Sequence, residues 1–234
     1  MLTIVVTGIL MGMRHALEAD HVAAVAALAT GAQGARQTLR LGLAWGAGHT
    51  LTIFAVGSAI LVFGATVPES IAALLEAAVG VMLILLGADV LRRMIRERVH
   101  FHRHRHGADA HFHAHSHVGE CEHDASRHQH RHQRALTLRA AFIGTVHGLA
   151  GSAALVMLTL GGIGSLGLGF SYMALFGVGS LIGMAVLSGV IAVPLRLTSL
   201  RLTWAYKGLT ACVGLVSVGL GAALLIEQVP LIGG

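Results

Sequence analysis

Apolar residues along this chain gather into six long stretches, at residues 2–29, 41–66, 70–91, 139–160, 168–193 and 203–226. A helix of about 20 apolar residues matches the thickness of the hydrocarbon core of a bilayer. The pattern therefore predicts an all-α polytopic membrane protein with six transmembrane helices. The first stretch is the longest and is interrupted by Arg14, His15, Glu18, Asp20 and His21, so a tilted or broken helix is expected there. The link 66–69 contains Pro68, and the link 161–167 reads Gly-Gly-Ile-Gly-Ser-Leu-Gly. Pro194 is expected to close the fifth span, because proline cannot continue helical hydrogen bonding.

The two halves echo each other. Gly12-Met-Arg-His15-Ala-Leu17 matches Gly144-Thr-Val-His147-Gly-Leu149, an offset of 132. Trp45-Gly46-Ala-Gly48 matches Phe176-Gly177-Val-Gly179 at 131, and Val79-Gly80 with Gly87 matches Val213-Gly214 with Gly221 at 134. With 31 glycines, any one match could arise by chance. Three near-equal offsets in order point to a duplication. Three spans per repeat would invert one half relative to the other, a plan common in transporters whose site lies at the repeat interface. The chain then divides into a first three-helix repeat (1–91), a hydrophilic loop (92–138) and a second repeat (139–234).

Composition agrees. Charged residues make up 12% of the chain, against roughly a quarter in soluble domains, and mean hydropathy is +0.74. The net charge of +5 does not indicate nucleic acid, because no basic face interleaved with aromatics occurs. The basic residues set topology instead. Arg36 and Arg40, ten arginines from Arg92 to Arg139, and Arg196 and Arg201 fall in the odd-numbered links, while the even-numbered links hold no Lys or Arg. Such residues stay cytoplasmic, so both termini are expected outside and the central loop inside. Residues 1–29 lack the basic start of a signal peptide and read as a retained span. Two cysteines, Cys121 and Cys212, permit neither a disulfide framework nor a thiolate metal cage within one chain.

The spans carry their own chemistry. His15, Asp20 and His21 form a His-x4-Asp-His pattern, with Glu18 between, inside an apolar segment. Ionisable groups at membrane depth are costly unless paired or liganded. Imidazole with carboxylate suits nickel, cobalt, zinc or iron. At 100° per residue, His21 and Asp20 lie about 120° and 140° from His15 on opposite sides. A regular helix cannot aim all three at one ion, so either the helix is distorted or Asp20 supports a ligand from behind. The bland reading is an Arg14–Glu18–Asp20 packing cluster, which leaves the two histidines unexplained. His49 follows Gly46-Ala-Gly48 in the second span, where small residues let another backbone approach; alone it would read as a hydrogen-bonded structural histidine. His147 stands at the repeat position of His15 with Ser152 nearby, and Ser180 stands near that of His49. His147 reads as ligand, proton carrier or packing residue. Glu76 could line a path, and Asp89 reads as a partner of Arg92 or Arg93.

Twelve of the sixteen histidines lie in the central loop. His100, His102, His104, His106, His111, His113, His115 and His117 alternate with other residues, and His123, His128, His130 and His132 follow. Such tracts bind metal by composition, and with so few apolar residues the loop is expected to be disordered. Protonation below about pH 6.5 weakens imidazole ligation.

Gly12-Met-Arg-His15-Ala-Leu-Glu-Ala-Asp20-His21 resembles the signature of the nickel/cobalt transporter family, within the broader NicO-type group. Trp45-Gly-Ala-Gly48-His49-Thr50 resembles that family's Gly-His-Ser/Thr segment. The resemblance is sharp over about the first 60 residues. It implies a bacterial inner-membrane permease for Ni2+ or Co2+ that works without ATP hydrolysis, with His15, Asp20, His21 and His49 in the metal path. It implies no resident cofactor, lipid and a divalent ion as partners, and room for a cytoplasmic metallochaperone. Two departures stand out. The family's Phe-Asp-Thr-Ala-Thr-Glu-like stretch is replaced by Val146-His147-Gly-Leu-Ala-Gly-Ser152. A His-rich loop between two three-span halves is similar to the group's efflux branch, which lacks the signature Asp present here as Asp20.

Rival readings find little purchase. No His-Glu-x-x-His occurs for a zinc protease, Gly151-Ser152 and Gly179-Ser180 match a rhomboid nucleophile only weakly, and a thiol-redox carrier would need paired membrane cysteines. A non-transporting metal sensor or accessory protein remains the alternative to uptake or efflux. Cysteine-accessibility labelling in intact cells should modify the C-terminus from outside and the His-rich loop only after permeabilisation; external labelling of the loop would overturn the orientation.

Overall fold

The computed structural model describes residues 2–32, 34–64, 67–96, 101–106, 109–114, 135–150, 165–201 and 203–232. Apart from one hairpin and short connections, these residues are helical: α1 (Leu2–His15), α2 (Ala19–Ala29), α3 (Ala35–Phe63), α4 (Glu69–Arg96), α5 (Ala135–Ala150), α6 (Leu166–Arg201) and α7 (Thr203–Ile232). Four of them, α3, α4, α6 and α7, are long and apolar enough to cross a membrane; α2 and α5 are shorter apolar helices. This is the architecture of a polytopic membrane protein.

The first predicted span is broken. The α-helical ladder stops at His15, residues 16–18 turn through Leu17 N–H to Arg14 C=O and Glu18 N–H to His15 C=O, and Glu18 is extended (φ −63°, ψ 150°) before α2 begins. Helices α3 and α4 outrun their apolar stretches and take in Arg36, Arg40, Arg92, Arg93 and Arg96. Long basic side chains can reach water from a helix end, so the apolar run sets the buried length and not the helix length. Pro194 does not close the fifth span: α6 continues through it to Arg201. In an apolar bundle, ending the helix would leave further carbonyls unpaired, and the Thr198 hydroxyl donates to the Pro194 carbonyl at 2.7 Å. Helix α7 likewise contains Pro230.

Packing runs through glycines in reciprocal contacts. A methyl group on Gly12 would overlap the Phe176 carbonyl oxygen, and one on Gly144 the Trp45 carbonyl oxygen. Gly48 abuts Ala141 and Gly179 abuts Ile9 in the same way. Gly80 faces the Gly221 carbonyl oxygen, and Gly214 sits against Leu91 and the Gly87 carbonyl oxygen. In each couple, the two contacts join residues related by the offsets of 131 to 134 seen in the sequence. Helices α1 and α3 thus pack on α6, α4 packs on α7, and α2 touches α4, α6 and α7.

In the central loop, β1 (Phe101–His106) and β2 (Asp109–Ala114) pair antiparallel, with His102 opposite His113 and His104 opposite His111. A lone hairpin is marginal in water, so it does not make the loop a domain. Its His100, His115 and His117, and Ser152 beyond α5, lie outside the described residues.

Overpacking a close helix contact typically costs about 1–3 kcal/mol, and backbone yields least. Gly48→Leu and Gly144→Leu should therefore fail to give monodisperse protein in detergent. Gly219→Ala, which meets open space, should elute and melt like the parent chain.

Candidate metal centre

The break between α1 and α2 brings together side chains that a straight helix would spread. His15 ends α1, Asp20 and His21 open α2, and His49 sits midway along α3. His21, His49 and His147 are fully buried. Their donors are arranged by carboxylates. Glu18 Oε2 lies 2.9 Å from His15 Nδ1. Asp20 Oδ1 accepts from the His21 backbone N–H at 2.8 Å and from His21 Nδ1 at 2.9 Å. Its Oδ2 accepts from His147 Nε2 at 3.0 Å. With Nδ1 of His15 and His21 held this way, both rings turn Nε2 inward. His15 Nε2 and His21 Nε2 lie 3.3 Å and 3.5 Å from His49 Nε2.

Donors bound to one ion at about 2 Å sit roughly 3 to 4 Å from one another. His49 Nε2 meets that spacing with both other Nε2 atoms, and the three histidines form a group close enough to hold an ion. A carboxylate behind a ligating imidazole fixes its tautomer and raises its basicity, and Glu18 and Asp20 stand in that relation to His15 and His21. Asp20, His21 and His147 form a second group close enough to hold an ion. Nδ1 of His49 and of His147 have no hydrogen-bond partner. The chemistry on offer is reversible coordination of a borderline divalent ion by neutral imidazoles, with a carboxylate to offset part of its charge.

Trp45 walls the cluster on the apolar side, its ring centroid 5.3 Å from those of His21 and His147 and 5.9 Å from that of His49. Phe176 lies 5.3 Å from His15. Toward the Leu2 end of α1 and the Glu69 end of α4, a cavity of about 540 Å3 leads away from the imidazoles past Arg14, Tyr172 and Glu76. Gln228 Nε2 donates to Oε2 of the cavity-lining Glu76 at 2.6 Å. Beyond the cluster on the opposite side, Arg93 and Arg139 approach Asp89 at 3.4 Å and 3.7 Å, and Arg93 Nη2 donates to Thr30.

The structure therefore gathers His15, Asp20, His21, His49 and His147, with Glu18 at the rim, 56% exposed. The carboxylates of the suspected Arg14–Glu18–Asp20 cluster turn to histidines instead. Ser180 is not part of the group: it is buried on α6 where α1 passes at Gly12, and its hydroxyl has no hydrogen-bond partner. Sequence reasoning passed over Trp45 as a wall and Gln228 as a partner of Glu76. Trp45 stood in plain view beside His49. Gln228 lay past the apolar run that set the expected end of the last helix.

Among proteins of known identity, the chain is 28% identical over 202 residues to the urease accessory protein UreH of Bacillus sp. (strain TB-90), a match covering 86% of this chain and 82% of that protein. No family model and no solved structure matches.

Equilibrium dialysis against Co2+ should locate the site, using full-length chain with its twelve loop histidines replaced by asparagine. His21→Ala should weaken binding by at least about 100-fold, more than loss of an outer partner does. Ser180→Ala should leave it unchanged.

Proposed function

We propose that this protein carries a divalent transition-metal ion, nickel or cobalt, across the membrane through the histidine cluster at the α1–α2 break. The observation that carries this reading is the convergence of three imidazole Nε2 atoms inside an apolar helical bundle, each of two rings backed by a carboxylate. A discontinuous helix at mid-span is a recurrent feature of transporter binding sites. The first sixty residues add the likeness to the nickel/cobalt transporter signature. Urease is a nickel enzyme, so similarity to a urease accessory protein is in keeping with a nickel-handling role.

In the full reading, six spans form two inverted three-helix repeats, α1–α2 counting as one span and α5 as the fourth. The reciprocal glycine contacts support the repeat. Both termini face outward, and the cavity past Glu76 then opens to the outside of the inner membrane, which favours uptake. The His-rich loop lies in the cytoplasm, where it buffers incoming ions and could hand them to a metallochaperone. No resident cofactor and no nucleotide hydrolysis are involved; the ion is cargo. The printed name of the relative supports a second reading, a membrane accessory protein that binds metal without transporting it.

Flux of radioactive nickel into proteoliposomes separates these. Saturable uptake is expected, abolished by alanine at His15, Asp20, His21 or His49. A variant lacking residues 100–132 should still move metal with altered apparent affinity, since the spans do not depend on the loop. Metal-binding protein that shows no flux under any imposed gradient would favour the accessory reading.

A further inference from the structure

The five donors do not surround a single point. Among the described residues, close-spaced donors fall into two triads, His15–His21–His49 and Asp20–His21–His147, and only His21 belongs to both. The ring of His21 faces them with different atoms: Nε2 lies 3.5 Å from His49 Nε2, and Nδ1 lies 2.9 Å from Asp20 Oδ1. We propose that these triads are two alternative stations for one divalent ion, an all-imidazole station between α1, α2 and α3 and a carboxylate station between α2 and α5, with His21 as the ligand common to both. The proposal rests on the transport reading above and adds to it a step inside the membrane.

Exclusive occupancy follows from the chemistry of imidazole. A neutral ring has one nitrogen with a lone pair and one with a proton. When His21 ligates through Nε2, its proton is on Nδ1 and donates to Asp20, the arrangement in this structure. When it ligates through Nδ1, the proton is on Nε2 and the first station loses a donor. Filling both stations would require a deprotonated ring and would place two dications side by side in a poorly screening interior.

The transfer balances. As the ion passes to the second station, the His21 proton shifts from Nδ1 to Nε2. His147 frees Nε2, now hydrogen-bonded to Asp20, by moving its proton to Nδ1. That nitrogen is buried and without a partner. Each ring keeps one proton, so the ion moves without net proton release. The bonds to His15 and His49 are exchanged for bonds to Asp20 and His147, and the carboxylate offsets one of the ion's two charges. The stations differ in the helices they use: His15 and His49 belong to α1 and α3, and His147 to α5.

Co2+ is the probe, on the full-length chain with the loop histidines replaced by asparagine. X-ray absorption counts imidazoles on the bound ion, and dialysis gives stoichiometry. One ion per chain with two to three imidazoles is expected. The pair Asp20→Asn/His147→Gln should keep one ion with three imidazoles, and His15→Gln/His49→Gln should keep one ion with two. Four imidazoles on the ion, two ions per chain, or loss of binding in either pair variant that elutes like the parent would overturn the two-station arrangement in favour of one composite site. If a pair variant does not fold, the imidazole count on the unsubstituted cluster decides: three or fewer supports the proposal and four removes it. No Co2+ bound to the unsubstituted cluster would defeat the metal reading itself, while two-station binding without flux would defeat only transport.

Discussion

A carboxylate inside an apolar bundle must be answered by donors, and the centre of this molecule is organised around meeting that demand for Asp20. It accepts from the backbone and ring of His21 on its own helix and from His147 on α5. Leaving a buried charge unpartnered costs several kcal/mol, so the three groups hold one another in place. The constraint reaches outward. It fixes which nitrogen of His21 carries the proton, and hence which one faces His15 and His49. It also requires the α1–α2 break, since a continuous helix would turn Asp20 away from the side on which His15 lies.

The scaffold and the site differ in symmetry. Glycine contacts come in couples related by the sequence offset. The polar residues do not follow suit. His15 and His147 occupy matching positions, yet His15 pairs with Glu18 and His49 while His147 pairs with Asp20. Ser180, near the position matching His49, contributes nothing to the cluster. Packing constrains both halves alike because backbone approach tolerates only small residues. The polar cluster draws His15, Asp20, His21 and His49 from the first half and His147 from the second, so it does not share the symmetry of the glycine contacts.

Much of this was legible in the sequence because two strong signals coincide: long apolar runs, and ionisable residues where such residues are costly. The helical wheel of His15, Asp20 and His21 called for a distorted helix or for Asp20 behind a ligand; the helix breaks at residues 16–18, and Asp20 also stands behind His21. What sequence could not give was pairing across helices. Asp20 meets His147 over a separation of 127 residues, and no local spacing foretells it. Apolar runs alone understate helix length where basic residues extend the helix, and proline does not end it here: Pro194 lies well inside α6. Gln228 escaped for the same reason, since a polar residue past an apolar run gives no sign that it will be buried against Glu76.

The break at residues 16–18 also has a mechanical side. Helix α1 rests on α6, as does α3, whereas α2 is shared among α7, α6, α4 and α3. The two halves of the first span are therefore held by different sets of neighbours that overlap at α6, and they meet at an extended residue where the α-helical ladder is interrupted. His15 is carried by α1, and Asp20 and His21 are carried by α2. Any change in the angle between α1 and α2 changes the distance from His15 to His21, because each side chain is carried by its own helix. Donor geometry and bundle geometry are thus one variable: to move α1 against α2 is to change the spacing of the imidazoles.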